Sequence, residues 1–158
     1  IPQRDAIIAE LSAYGGNDLL CYRDDQDDLA SRQQDQWQPW LDDLAENQGI
    51  ALQIVTGIMP ICQPDAVKFP ALIAAYDDWR LGMLHRATSL SGSLVLGLNF
   101  VDSVIDDERM FTLAFLDELW QNEKWGTDFE AADRHGFLRT ELQEVARFLA
   151  LLGDAVAV

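Results

Sequence analysis

The sequence predicts a mainly α protein, α+β overall: a helical bundle preceded by a small α/β segment with two short strands. Three observations carry this expectation. From Pro64 onward, apolar residues recur at three- and four-residue spacings, as one buried face of a helix requires. Before that point, two short apolar runs, Leu19–Tyr22 and Ile50–Val55, have strand length and are bounded by turn-forming residues. Between the two regimes lies Gly57 to Pro64, which holds Pro60 and Pro64 and is the clearest linker in the chain. The expected division is a first segment over residues 1–62 and a helical domain over 63–158.

The elements follow in order. Arg4 to Ala13 reads as a short helix with Ile7, Ile8 and Leu11 on one face, stopped by Gly15-Gly16-Asn17. The acids Asp24, Asp25, Asp27 and Asp28 suit the positive end of the next helix, which carries Leu29, Trp37, Trp40, Leu41 and Leu44. Pro39 should kink or split that helix, because proline lacks the donor a helix needs and clashes with the preceding turn. Gly49 ends it. Further helices are expected over Asp65 to Tyr76, perturbed at Pro70, over Asp77 to Thr88, and over Leu90 to Val101, where periodicity alone fits a strand as well as a buried helix. Ser91, Gly92, Ser93 and Gly97 in the last of these would permit close helix packing. Val104 to Asp107 caps a long apolar helix that runs into Leu116–Gly126. Thr127-Asp128-Phe129-Glu130 has capping-box spacing and starts a final helix striped with Ala131, Leu138, Leu142, Val145, Leu149 and Leu152, which Gly153 should stop.

A chain of 158 residues makes one ordinary domain or two small subdomains. Lysine plus arginine number 11 and aspartate plus glutamate 27, so the net charge is 11 − 27 = −16. That balance excludes the electrostatic attraction on which binding to nucleic acid or anionic membranes depends. It is compatible with a basic partner surface. The longest apolar run, Leu90 to Val101, spans about a dozen residues, too few to cross a bilayer, so no membrane insertion is expected. Cys21 and Cys62 form no CxxC pair, which fits a reducing compartment with both thiols free. The chain opens without an initiator Met or a signal segment and is read as a fragment.

No catalytic motif is found. His85 and His135 lie far apart in sequence with no HExxH spacing, and no calcium loop, phosphate loop or nucleophile elbow occurs, so no metal or cofactor is expected. The remaining enzymatic reading is an all-helical, metal-dependent nucleotide hydrolase that gathers Asp106, Asp107 and Glu108 with Asp117, Glu118 and Glu123 from facing helices. Its usual paired glutamates at i and i+3 on two helices are missing. The tryptophans Trp37, Trp40, Trp79, Trp120 and Trp125 suit a core or a protein interface better than base stacking, given the charge.

Leu116-Asp117-Glu118-Leu119-Trp120-Gln121-Asn122-Glu123-Lys124-Trp125-Gly126 is the most distinctive stretch. Upstream of it Met110, Phe111, Leu113, Ala114, Phe115 and Leu116 cover most directions of a helical wheel, which marks a buried or partner-covered helix. Asp117, Glu118 and Gln121 share a sector of roughly 100°. Acids in so apolar a setting cost free energy unless paired. They either contact a partner, flanked by Trp120 and Trp125, or pair internally with Arg147 or Lys124.

Several ordered blocks carry a family resemblance. They are Asp18-Leu19-Leu20-Cys21-Tyr22-Arg23, Leu29-Ala30-Ser31-Arg32-Gln33, Trp37-Gln38-Pro39-Trp40-Leu41, Gly57-Ile58 with Gln63-Pro64, and Thr88 to Leu96. Leu116-Asp117-Glu118 with Gln121 and Trp125-Gly126, then Asp128 and Glu130-Ala131, and finally Ala146 to Leu152, complete the set. With these the chain resembles the assembly chaperones of the ATP synthase soluble head that bind the free alpha subunit, in their alphaproteobacterial form. The resemblance implies that residues 1–62 are the remainder of an α/β N-terminal domain whose upstream β-rich segment is absent. It implies a protein that uses no nucleotide hydrolysis and no metal and holds the alpha subunit until beta arrives, in the bacterial cytoplasm or, in a eukaryote, the mitochondrial matrix; a monomer is expected. It also places a functionally sensitive acid at Asp117 or Glu118. The family has glutamate there, so at Asp117 the charge is kept on a shorter side chain.

Overall fold

A computed structural model describes the backbone of residues 2–156 and the side chains of residues 3–153. Eight helices and two short strands follow one another: α1 (Pro2–Gly15), β1 (Tyr22–Arg23), α2 (Asp27–Gln48), β2 (Val55–Thr56), α3 (Phe69–Ile73), α4 (Asp78–Ser91), α5 (Leu94–Val101), α6 (Asp107–Ala114), α7 (Leu116–Trp125) and α8 (Phe129–Val156). The mainly helical fold with a small α/β portion is the one expected. β1 and β2 pair in parallel, Tyr22 opposite Val55 and Arg23 opposite Thr56.

The strands are shorter than the sequence suggests. Leu19–Cys21 forms a 3-10 turn before β1, because the Asp18 carboxylate accepts the backbone N–H of Leu20 and tightens the chain there. Of Ile50 to Val55, only Val55 joins the ladder. Ala51 and Gln53 donate their backbone amides to the side chains of Asp65 and Gln63 instead. The expected helix over Asp65 to Tyr76 is a 3-10 segment, Pro64–Lys68, followed by α3. Pro70 sits in the first turn of α3, where its missing N–H is harmless. Pro39 does not split α2, which continues to Gln48 and ends on Gly49 in a left-handed conformation.

α5 is the centre of the molecule. Every residue from Leu94 to Val101 except Asn99 is buried, and α1, α2, α4, α6 and α8 all pack against it. The α4–α5 corner forms because Gly92 takes φ 75° to cap α4, and Ser93 then caps α5 by accepting from Leu96 N–H. Gly97 lets the two helices approach closely: a Cβ there would lie 2.6 Å from Thr88 Oγ1. Asp18 fixes this corner from the other half of the chain. Fully buried, it accepts from Ser93 Oγ at 2.7 Å, from Val95 N–H at 3.0 Å and from Leu20 N–H at 3.0 Å. Burial pushes its carboxyl up to about 6, and the hydrogen bonds pull the other way.

The long apolar helix expected before Trp125 is two helices. The chain breaks at Phe115 (φ −110°, ψ 26°), which ends α6 and begins α7. The break lets Met110, Phe111 and Leu113 of α6, and Leu116 and Trp120 of α7, all enter one core. At the start of α8 the cap is Asp128, whose side chain accepts from Ala131 N–H at 2.7 Å, rather than Thr127. α8 also runs past Gly153 to Val156.

Candidate functional site

Asp117 and Glu118 are adjacent in sequence but face different neighbours. Asp117 points toward α2, where Gln33 Nε2 donates to its Oδ1 at 2.9 Å. Gln33 is buried, and its Oε1 accepts from Asp24 N–H at 2.7 Å, so one amide joins α7 to the turn after β1. Burial raises the Asp117 carboxyl above the usual range. The Gln33 hydrogen bond opposes this, and the nearby charges of Asp24 and Glu118 add to it.

Glu118 points toward α8. Its Oε2 lies 2.5 Å from Arg134 Nη1 and 2.8 Å from His135 Nε2. Burial disfavours its charge, yet these two partners outweigh it and hold the carboxyl below its ordinary value. His135 is itself buried, edge-on to Phe111 at 5.3 Å. The internal partners of Glu118 are thus Arg134 and His135. Lys124 pairs with Asp28 at 2.8 Å, and Arg147 is exposed.

The rest of α7 divides by exposure. Trp120 is buried, with Trp125 edge-on to it at 5.6 Å and Lys124 Nζ 5.2 Å from its ring centre. Trp125 is 71% exposed. Gln121 is exposed. Glu123 receives both hydrogen bonds of Arg32 Nη1, at 2.8 and 2.9 Å, which adds a second strut between α2 and α7.

In front of Asp117 lies a cleft of about 320 Å³, lined by Leu19, Tyr22, Arg23, Asp24, Asp25, Gln33, Trp37, Gly57, Ile58 and Asp117. Arg23 forms its inner wall, only 7% exposed. Its guanidinium donates to the carbonyl of Leu20 and to Gln38 Oε1, and lies 5.5 Å from the centre of the Trp37 ring. Its Nε has no acceptor among the described residues. The Trp37 indole N–H donates to Leu113 O at 2.9 Å and so holds that wall against α6. Ile58 at the mouth is 90% exposed. Beside Asp117, then, the structure assembles Arg23, Asp24, Gln33 and Ile58, which no local motif singles out. The signal was present all the same: these residues, Asp24 excepted, lie in the ordered blocks that carry the family resemblance.

The acids considered for a hydrolase do not converge. Asp106 caps α6 through Arg109 N–H, Glu108 pairs with Arg139, and Glu123 pairs with Arg32. Among the described residues, no group of three or more His, Cys, Asp or Glu side chains is placed to hold a metal ion. No helix among them is long and apolar enough to cross a membrane. Cys21 is buried and Cys62 exposed, neither in a disulfide. Burial pushes the Cys21 thiol up to about 12, which leaves it unreactive near neutral pH.

Residues 2–45 match the family model of the ATP12 chaperone protein. The chain is similar to the crystal structure of Atp12 from Paracoccus denitrificans, at 36% identity and a TM-score of 0.90, over 96% of this chain and 66% of that one. It is also similar to a candidate chaperone from Agrobacterium tumefaciens, at 33% identity and a TM-score of 0.85, over 94% of this chain and 57% of that one. The chain therefore spans less than two thirds of the length of these relatives.

Proposed function

The chain belongs to the ATP12 chaperone family, and on that premise we propose that it is an assembly chaperone of the ATP synthase catalytic head, binding the free alpha subunit before beta arrives. The observation that supports this most directly is Asp117. It is a half-buried carboxylate on the rim of an open cleft, with a neutral amide as its hydrogen-bond partner and no cation within ion-pair distance among the described residues. In this reading Asp117 is the acid that meets the alpha subunit, with Gln121 and Trp125 exposed on the same helix. Glu118 serves α7–α8 docking, and Trp120 supports α7 from beneath. The work is done by binding, without chemistry, cofactor or metal, by a monomer in the bacterial cytoplasm.

Such a role needs apolar surface together with a few charges that confer specificity and speed encounter. Ile58, Met59 and Trp125 supply the exposed apolar groups, and the chain's charge of −16 supplies the field. The test is size-exclusion chromatography of this chain mixed with isolated alpha or isolated beta subunit. Co-elution with alpha alone, lost in Asp117→Asn at unchanged melting temperature and kept in Glu118→Gln, is the expected result. Equal binding to both subunits, or none to alpha, would refute it.

A further inference from the structure

We propose that the cleft between β1, α2, the loop after β2 and the start of α7 is a socket for a polypeptide segment of the partner, one that carries a basic side chain beside an apolar residue. The inference rests on the chaperone reading and says what that site takes.

The charges around the cleft are unevenly matched. Outside it, three acids of this region are paired, Asp28 with Lys124, Glu123 with Arg32, and Glu118 with Arg134 and His135, while Asp27 faces solvent. Inside it, Asp24, Asp25 and Asp117 line the walls, and no Lys, Arg or His lies within ion-pair distance of any of them among the described residues. The one cation in the lining, Arg23, is turned inward onto the carbonyls of Leu20 and Tyr22, Gln38 Oε1 and the face of Trp37. The lining thus sums to three negative charges against one positive, −3 + 1 = −2, and the positive one is already engaged. Asp117 uses Oδ1 toward Gln33; burial, Asp24 and Glu118 disfavour its charge more than Gln33 and the nearby Arg23 favour it, so an entering cation would add to the compensation that Arg23 gives.

Two further features select a polypeptide over a free ion. The walls are apolar as well as acidic: Leu19, Tyr22, Trp37 and Ile58 suit the aliphatic stem of a lysine or arginine and a neighbouring apolar side chain. Ile58, almost wholly exposed, gives that segment an apolar edge to lie on.

The test has two arms. In the first, calorimetric titration with the isolated alpha subunit compares the wild-type chain with Ile58→Ser and Asp24→Asn/Asp25→Asn, all at the cleft mouth, and with Trp79→Ala, exposed on α4. The two cleft variants should weaken binding by about tenfold or more, as interface anchors do, while keeping the wild-type melting temperature; Trp79→Ala should not. Wild-type affinity in both cleft variants would overturn the socket and leave the chaperone reading standing. In the second arm, acetyl-Gly-Arg-Leu-amide and its citrulline counterpart are titrated into the isotopically labelled chain. Salt-sensitive shifts of the Trp37 indole and Ile58 signals with the arginine peptide alone support the socket, even if the alpha subunit proves not to be the partner. No shift with either peptide, or equal shifts with both, would overturn it.

Discussion

Gln33 Nε2 donates to Asp117 Oδ1 across 2.9 Å, so the acid that opens α7 is held by a neutral amide from α2 and not by a cation. A carboxamide orients a carboxylate without cancelling its charge. The same Gln33 accepts from Asp24 N–H, so the α2–α7 spacing and the cleft wall depend on one buried side chain. Gln33→Leu keeps the approximate volume and strands both partners. It should lower stability by about 1–3 kcal/mol, the cost of leaving buried polar groups unpaired, read as a drop in the urea midpoint.

Trp120 and Trp125, five residues apart, should respond very differently to truncation. Trp120 is buried, and Trp120→Ala should cost about 3–5 kcal/mol through the cavity it leaves. Trp125 is mostly exposed and keeps only an edge contact, so Trp125→Ala should cost less than about 1 kcal/mol. Thermal melts of the two variants check this. A large loss in Trp125→Ala would mean that it is part of the core.

Glu118 and Asp18 should give pH profiles of opposite sign. Arg134 and His135 overcome the burial of Glu118 and hold its carboxyl below the ordinary 4.5, so its stabilising effect is present above that value and fades as pH falls through the lowered one. The group is partly exposed and screened, so Glu118→Gln should cost less than about 1 kcal/mol at neutral pH and still less in high salt. Melts at low and high salt decide the point.

Asp18 behaves in the reverse sense. Its folded-state carboxyl, pushed by burial from 3.8 to about 6, takes up protons that the unfolded chain has already released. Its contribution is therefore greatest below about 4, declines as pH rises to about 6, and is flat beyond, a span of about 3 kcal/mol. The stability of the wild type minus that of Asp18→Asn, measured by denaturant melts from pH 4 to 8, should fall over that window. A difference that rises with pH, or does not change, would contradict the assignment.

Gly97→Ala tests the α4–α5 contact. The added methyl would meet Thr88 Oγ1 at 2.6 Å inside a fully packed crossing. Overpacking there should cost about 1–3 kcal/mol, more than the gain in helix propensity returns. A melting temperature at or above wild type would show that the helices separate freely.

The sequence was legible where structure is local. Apolar spacing marked α4 and α8, the small residues around Gly92 and Gly97 marked α5 as a helix, and Gly49 marked the end of α2. It was not legible at Phe115, because a helix apolar on every side looks the same whether it runs straight or bends; only the positions of α5 and α8 require the bend. Asp18 entered only as the first residue of a family block, and its role was hidden because Ser93 and Val95 lie more than seventy residues away. Asp117, Glu118 and Trp125 stood out as candidates from their apolar helical setting and from the family resemblance. That Asp117 faces α2 while Glu118 faces α8 depends on where Gln33 and His135 fall in space, and helical spacing had placed both acids in one sector.

The three bonds converging on Asp18 also bear on how the molecule is made. A polypeptide emerges from the ribosome from its N-terminus, and early segments ordinarily settle first. Here the turn at Leu19–Cys21 obtains its anchoring only when Ser93 and Val95 have been synthesised and α5 has formed. The turn that follows α1 therefore depends on a segment more than seventy residues further along the chain. Closing so long a loop costs only a little more entropy than closing a shorter one. An early turn is thus secured by a later segment of the same chain.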